Sequence, residues 1–98
     1  MRSGPAPVYF AVKAAVLQLG RSLAKEVAAS GVTVNTVSPG LIFHPDSHQQ
    51  SQRRLQPRVP MGRLGAPGDV TGLVQWLLSD EAAYVTGAEF TVDGGLML

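Results

Sequence analysis

Apolar residues recur along the first third of the chain at helical intervals. From about Val8 to Ser30, Val12, Val16, Leu19, Leu23 and Val27 follow one another at spacings of four, three, four and four, while Gln18, Arg21, Ser22, Lys25 and Glu26 take polar positions away from that stripe. The spacing predicts a long amphipathic helix. Gly4, Pro5 and Pro7 oppose helix before it, so residues 1–7 are expected to be loop. Gly31 stands where a residue tolerant of positive φ closes a helix, and Val32 to Val37 read as a short β-branched strand. That strand is expected to stop at Ser38-Pro39-Gly40, because proline cannot donate a ladder hydrogen bond and glycine permits a sharp change of direction. Helix, glycine, strand is the connection of an α/β fold.

The second half alternates in the same way. Residues 43–62 are polar, rich in Gln, Ser, His and Arg, and suit a mobile surface segment or lid with a short helix around Ser47 to Leu55. Pro67 is placed for a first helical turn, Asp69 complements the helix dipole, and Val70, Leu73, Val74 and Leu77 form an i, i+3, i+4, i+7 stripe ending near Ser79. Ala88, Phe90 and Val92 alternate with Glu89 and Thr91 before Asp93-Gly94-Gly95, which reads as a last strand closed by a turn. No internal repeat or low-complexity tract interrupts this order.

Composition narrows the class of protein. At 98 residues the chain is one domain or less, and 45% apolar with 15% charged content predicts a folded chain with a buried core. A net charge of +1 provides no broad field for nucleic acid or acidic lipid; only Arg53, Arg54 and Arg58 cluster, and no aromatics interleave with them. The absence of cysteine excludes disulfides, thiolate nucleophiles and cysteine zinc sites, and is compatible with the cytoplasm. No apolar run approaches the roughly 20 residues of a membrane span, and the first residues lack a signal peptide's apolar segment. The expectation is a soluble cytoplasmic protein with no metal, no nucleic acid and no membrane partner.

Tyr9 and Lys13 are four apart and so share one helix face, one turn from each other. A cation beside a phenol favours the phenolate, and a phenol so placed can take a proton from an alcohol or give one to a carbonyl. Taken alone, Y-x-x-x-K is also the pattern of a half-buried helix aromatic followed by a solvated lysine.

The surroundings of the pair are more specific. Tyr9-Phe10-Ala11-Val12-Lys13-Ala14-Ala15-Val16 resembles the active-site helix of the short-chain dehydrogenases/reductases. Val34-Asn35-Thr36-Val37-Ser38-Pro39-Gly40 resembles the strand and turn that follow it there. Gly62-Arg63-Leu64-Gly65-Ala66-Pro67-Gly68-Asp69-Val70 and Tyr84-Val85-Thr86-Gly87 through Val92-Asp93-Gly94-Gly95 resemble the last helix and last strand, in order and at compatible spacings. The resemblance covers nearly the whole chain. It implies an α/β fold, the C-terminal part of a Rossmann-like doubly wound parallel sheet with two strands and two or three helices. Residues 1–98 would then be a C-terminal fragment of a single NAD(P)-binding domain.

The resemblance also implies roles. Tyr9 is the acid/base; Lys13 assists it and hydrogen-bonds the nicotinamide ribose; Pro39 and Gly40 form the turn beside the nicotinamide; and the backbone of Ile42 meets the carboxamide. The cofactor is NAD or NADP, and the reaction is hydride transfer between nicotinamide and a carbonyl or secondary alcohol. The first expectation for substrate class is that of a 3-oxoacyl carrier-protein reductase, with pteridine, sugar or steroid substrates as alternatives. His44 stands where many members have a threonine near the cofactor. Asn35 is read as a structural hydrogen-bonding residue and Asp93-Gly94-Gly95 as a turn, both outside the site.

Other family parts are not found. Nothing before Tyr9 provides a strand, Gly-rich turn and helix for the pyrophosphate, and the family's serine and asparagine would precede Met1. Gly62, Gly65 and Gly68 have glycine-run spacing without a strand before them and read as a loop. The chain alone is therefore expected to be inactive and marginal, with an unpaired apolar strand edge, and to form homo-oligomers or pair with a full-length subunit. The alternative expectation is a non-catalytic subunit that pairs with full-length family members.

Overall fold

A computed structural model describes residues 6–46 and 49–98. In chain order the elements are α1 (Ala6–Val27), a 3-10 turn (Ala28–Ser30), β1 (Thr36–Pro39), α2 (Gln49–Leu55), a 3-10 turn (Gln56–Arg58), α3 (Pro67–Leu77), a 3-10 turn (Asp80–Ala82) and β2 (Glu89–Val92). The chain divides into two compact units, Met1–Thr36 with Ala83–Glu89, and Val37–Ala82 with Phe90–Leu98.

In the first unit α1 starts at Ala6, inside the stretch expected to be loop; residues 1–5 of that expectation lie outside the described residues. Pro7 falls in the first turn, where a missing N–H costs no helical hydrogen bond. Gly31 closes the helix as expected, with φ 79° and its N–H donating to Ala28 O at 3.0 Å.

The helical periodicity holds, but the buried face shares only Val27 with the apolar stripe. Val12, Val16 and Leu19 are 57–59% exposed, whereas Lys13, Leu17, Gly20 and Val27 are half-buried and Ala24 is buried. Small residues explain the difference. A Cβ on Gly20 would sit 3.3 Å from Thr36 Oγ1, and one on Gly87 3.6 Å from Ala24 Cβ, so the helix packs where its side chains are smallest.

Residues 32–35 do not join the ladder expected for Val32–Val37. Opposite them, Thr86 Oγ1 accepts the Val34 N–H at 3.0 Å and the Gly87 N–H donates to Val34 O at 2.7 Å. Asn35 substitutes for backbone on both sides, Nδ2 donating to Val85 O at 3.0 Å and Oδ1 accepting the Ala88 N–H at 3.2 Å. The strand starts only at Thr36 and continues through Pro39 instead of stopping before it.

Thr36 N donates to Ala88 O and Gly40 N to Val92 O, both at 2.9 Å. The constant sequence offset makes the two-stranded β1–β2 sheet parallel. Since residues 36 and 40 turn their N–H groups to β2, the odd position Pro39 is not asked for a donor, which is how the strand accommodates a proline.

In the second unit the polar segment is built, not structureless. α2 and its 3-10 turn occupy residues 49–58, with Ser47 and His48 outside the described residues, and the segment is pinned where Met61 N donates to Gly94 O at 3.0 Å and Gln56 Nε2 to Gly62 O at 2.9 Å. α3 presents Val70, Leu73 and Leu77 as its half-buried stripe, with Val74 at the margin, 36% exposed. β2 alternates as expected, Phe90 and Val92 half-buried between exposed Glu89 and Thr91. Asp93 ties the closing turn, Oδ1 accepting the Gly95 N–H at 2.9 Å and Oδ2 the Met97 N–H at 3.1 Å. Among the described residues the buried apolar positions are Ala24, Val59 and Ala82.

Candidate active site

Tyr9 and Lys13 lie on one face of α1, the lysine Nζ 6.0 Å from the tyrosine ring centroid, within the range of a cation–π contact. The Phe10 ring stands edge-on to Tyr9 at 5.5 Å and 69°. Tyr9 is 60% exposed while Lys13 is half-buried, so the phenol is presented outward and the lysine stem packs along the helix.

Pro39, Gly40 and Ile42 belong to the second unit. Gly40 has a reason to be glycine within the chain itself: a Cβ there would meet Asp93 Cβ at 2.6 Å and Asp93 Cα at 2.9 Å. After it, Leu41–Phe43 forms a parallel bridge centred on Ile42 and Gly65. Gly65 N donates to Leu41 O at 2.9 Å and Phe43 N to Gly65 O at 2.7 Å. Strand alternation then turns the N–H and carbonyl of Ile42 to the side opposite Gly65. The bridge was missed in the sequence because a single residue pair leaves no periodic signal.

Gly65 leads into α3, whose entry is tied by charge. Arg63 makes a two-pronged contact with Asp69, Nη1 to Oδ2 at 2.8 Å and Nη2 to Oδ1 at 3.2 Å, and Asp69 Oδ2 also accepts the Ala66 N–H at 2.7 Å. Ala66 has no side-chain acceptor, so only the Asp69 half of a capping box forms. The Arg63 hydrogen bond, then the Ala66 N–H, hold the Asp69 carboxyl down at about 2, and the same bond raises Arg63 above its ordinary value. An acid at the third helical position was legible in the sequence; its arginine partner six residues earlier was not.

A cavity of about 290 Å³ in the second unit is lined by Gly40, Leu41, Ile42, Leu55 and Leu64 with Ser51 and Gln52. His44 sits in an exposed turn, its Nδ1 accepting the Asp46 N–H at 3.2 Å. Arg53, Arg54 and Arg58 are exposed on α2 and the turn after it. Among the described residues no cluster of acidic or histidine side chains could hold a metal, and no helix is long and apolar enough to cross a membrane.

Residues 2–97 match the family model described as enoyl-(acyl carrier protein) reductase. The chain belongs to the short-chain dehydrogenase/reductase family. It is 44% identical over 93 residues to a 3-oxoacyl-[acyl-carrier-protein] reductase of Haemophilus influenzae, covering 92% of this chain and 38% of that protein. It is 40% identical over 97 residues to 2-(S)-hydroxypropyl-CoM dehydrogenase 3 of Xanthobacter autotrophicus, again covering 38% of the relative. Among solved structures, acetoin dehydrogenase from Salmonella typhimurium superposes with a TM-score of 0.81 at 36% identity, over 96% of this chain and 36% of that one. The fold is thus part of a short-chain dehydrogenase/reductase, and the chain spans somewhat over a third of the length of these relatives.

Proposed function

We propose that the chain supplies the acid/base pair and the nicotinamide-facing backbone of an NAD(P)-dependent oxidoreductase that interconverts a carbonyl and a secondary alcohol. The observation that carries this reading is the Tyr9–Lys13 pair, one turn apart on α1 with the ammonium 6.0 Å from the ring, in a chain of this family. Tyr9 gives its hydroxyl proton to a carbonyl oxygen, or takes one from an alcohol, and Lys13 stabilises the phenolate left behind. The nicotinamide, when bound, supplies or accepts the hydride.

The residues present fit the nicotinamide end of the cofactor. Ile42 turns both a donor and an acceptor away from Gly65, the complement of a carboxamide, and the turn that leads there includes Gly40, which carries no side chain. They do not fit the pyrophosphate end. The glycine run from Gly62 to Gly68 enters α3, where the carboxylate of Asp69 already occupies the Ala66 N–H and would repel a phosphate. That end is expected from sequence outside these 98 residues. A 3-oxoacyl thioester is the preferred substrate, supported by the reductase relatives and by the leucine-lined cavity; the reaction would run in the cytoplasm in a homo-oligomer.

The test is a fluorescence titration with NADH and NADPH, with the N-terminal part of the fold supplied in trans or in frame. Binding followed by turnover of a 3-oxoacyl thioester is expected, and no binding of either nucleotide would sink the proposal. The exposed Val8, Val12, Val16 and Leu19 favour a second reading, a non-catalytic subunit whose α1 is covered by a full-length family member. Co-purification with such a member, without activity of its own, would select it.

A further inference from the structure

We infer that Asp69, with Arg63, is a positioning pair that fixes the Leu41–Ile42–Phe43 backbone through Gly65. The inference rests on the reading of Ile42 as a nicotinamide contact only for its functional consequence; the clamp itself stands on geometry.

Gly65, which holds the segment, lies in the chain between Arg63 and Asp69. Asp69 Oδ2 binds the Ala66 N–H at 2.7 Å and Arg63 Nη1 at 2.8 Å, and the same guanidinium nitrogen donates to Leu64 O at 3.2 Å. The residues on both sides of Gly65 are thereby tied to one carboxylate. Gly65 itself offers its N–H to Leu41 O and its carbonyl to Phe43 N. Close approach adds a steric stop: a Cβ on Gly65 would lie 2.6 Å from Ile42 Cδ1 and 3.8 Å from Asp69 Oδ2, so Ile42, Gly65 and the carboxylate are in one packed stack. A cavity of about 160 Å³ borders this stack, lined by Leu41, Ile42, Arg63, Gly65 and Asp69 together with Met61 and residues 92–94. The two hydrogen bonds to Gly65 and their charged anchor fix the direction of the Ile42 backbone. Helix capping alone would need only the Ala66 bond; the arginine reaching back to both Asp69 and Leu64 O is what a cap does not explain.

The experiment is amide hydrogen exchange on the full chain, comparing Asp69→Asn, Asp69→Ala and Arg63→Ala with the parent. Asparagine keeps an acceptor for the Ala66 N–H and loses the charge, alanine loses both, and Arg63→Ala leaves the cap in place. Exchange at Phe43 and Gly65 is expected to rise about tenfold in Asp69→Ala and by less in the other two, with the Gly40 amide, which pairs with β2, as the internal reference. Where Asp69→Ala also frees Gly40, Arg63→Ala decides the question. Unchanged Phe43 exchange in Arg63→Ala and Asp69→Asn, with fraying confined to the first turn of α3, would overturn the clamp and leave Asp69 a helix cap.

A second readout separates this inference from the functional reading. In the assembled oxidoreductase, the same variants should raise the KM for the nicotinamide cofactor several-fold with little change in kcat. Faster Phe43 exchange with an unmoved KM supports the clamp and counts against Ile42 as the carboxamide contact.

Discussion

The face of α1 that carries Tyr9 and Lys13 and the bridge around Ile42 are built on opposite principles. The first is local: one helix sets the spacing of its two residues, and the surrounding side chains are largely exposed, from Val8 through Leu19. The second is non-local: Leu41–Phe43 is held by Gly65, more than twenty residues on, and Gly40 is packed against Asp93 still further along the chain. A local arrangement tolerates change in its surroundings and fails when its reactive atom is removed. A non-local one fails when its packing is disturbed, even where no reactive atom is touched.

The sharpest way to break this contrast is Tyr9→Phe. It should lower kcat/KM of the assembled enzyme roughly a thousandfold while leaving the helical circular dichroism unchanged, since the hydroxyl makes no packing contribution at an exposed position. Loss of helix along with activity would show that the first region is structural after all.

Gly40→Ala should do the reverse. A methyl group 2.6 Å from Asp93 Cβ and 2.9 Å from its Cα meets atoms that no side-chain rotation can move away, and a loss of about 1–3 kcal/mol in denaturant unfolding is expected. Gly65→Ala meets the flexible end of Ile42, which can rotate, and should cost about 0.5–1.5 kcal/mol. Equal losses at the two glycines would mean that Ile42 cannot yield and that the bridge is more rigid than its single residue pair suggests.

Val16→Ser, at a position 57% exposed, should alter stability by no more than about 0.5 kcal/mol but reduce self-association or capture of a full-length partner, measured by sedimentation. A large destabilisation would instead place Val16 in a core of the chain alone.

The smallest effect concerns acid. Because Arg63 and the Ala66 N–H lower the Asp69 carboxyl from 3.8 to about 2, its contribution is complete above the ordinary carboxylate range and is lost as pH falls through about 2. The pair is solvent-exposed, so the loss is screened and small. Unfolding followed between pH 5 and pH 2 should show the parent converging on Asp69→Asn at the acid end; a gap that widens on acidification would reverse the assigned sign.

Periodicity and short signals determined much of this protein. The presence and order of α1 and α3, the glycine that closes α1, the last strand and its Asp93 turn, and the family itself were all legible, because each depends on residues within one or two turns of each other or on ordered blocks of sequence. The same reading placed the candidate acid/base on one helix face. Only the tertiary structure decided which face of α1 packs inward, since Gly20 and Ala24 are chosen for closeness and carry no hydrophobic weight. Only it moved the strand from Val32–Val37 to Thr36–Pro39, because the Thr86 hydroxyl and the Asn35 amide take the place of a backbone ladder. The bridge at Ile42 and Gly65 belongs to the same class. It joins residues more than twenty positions apart through two hydrogen bonds, which no local pattern encodes.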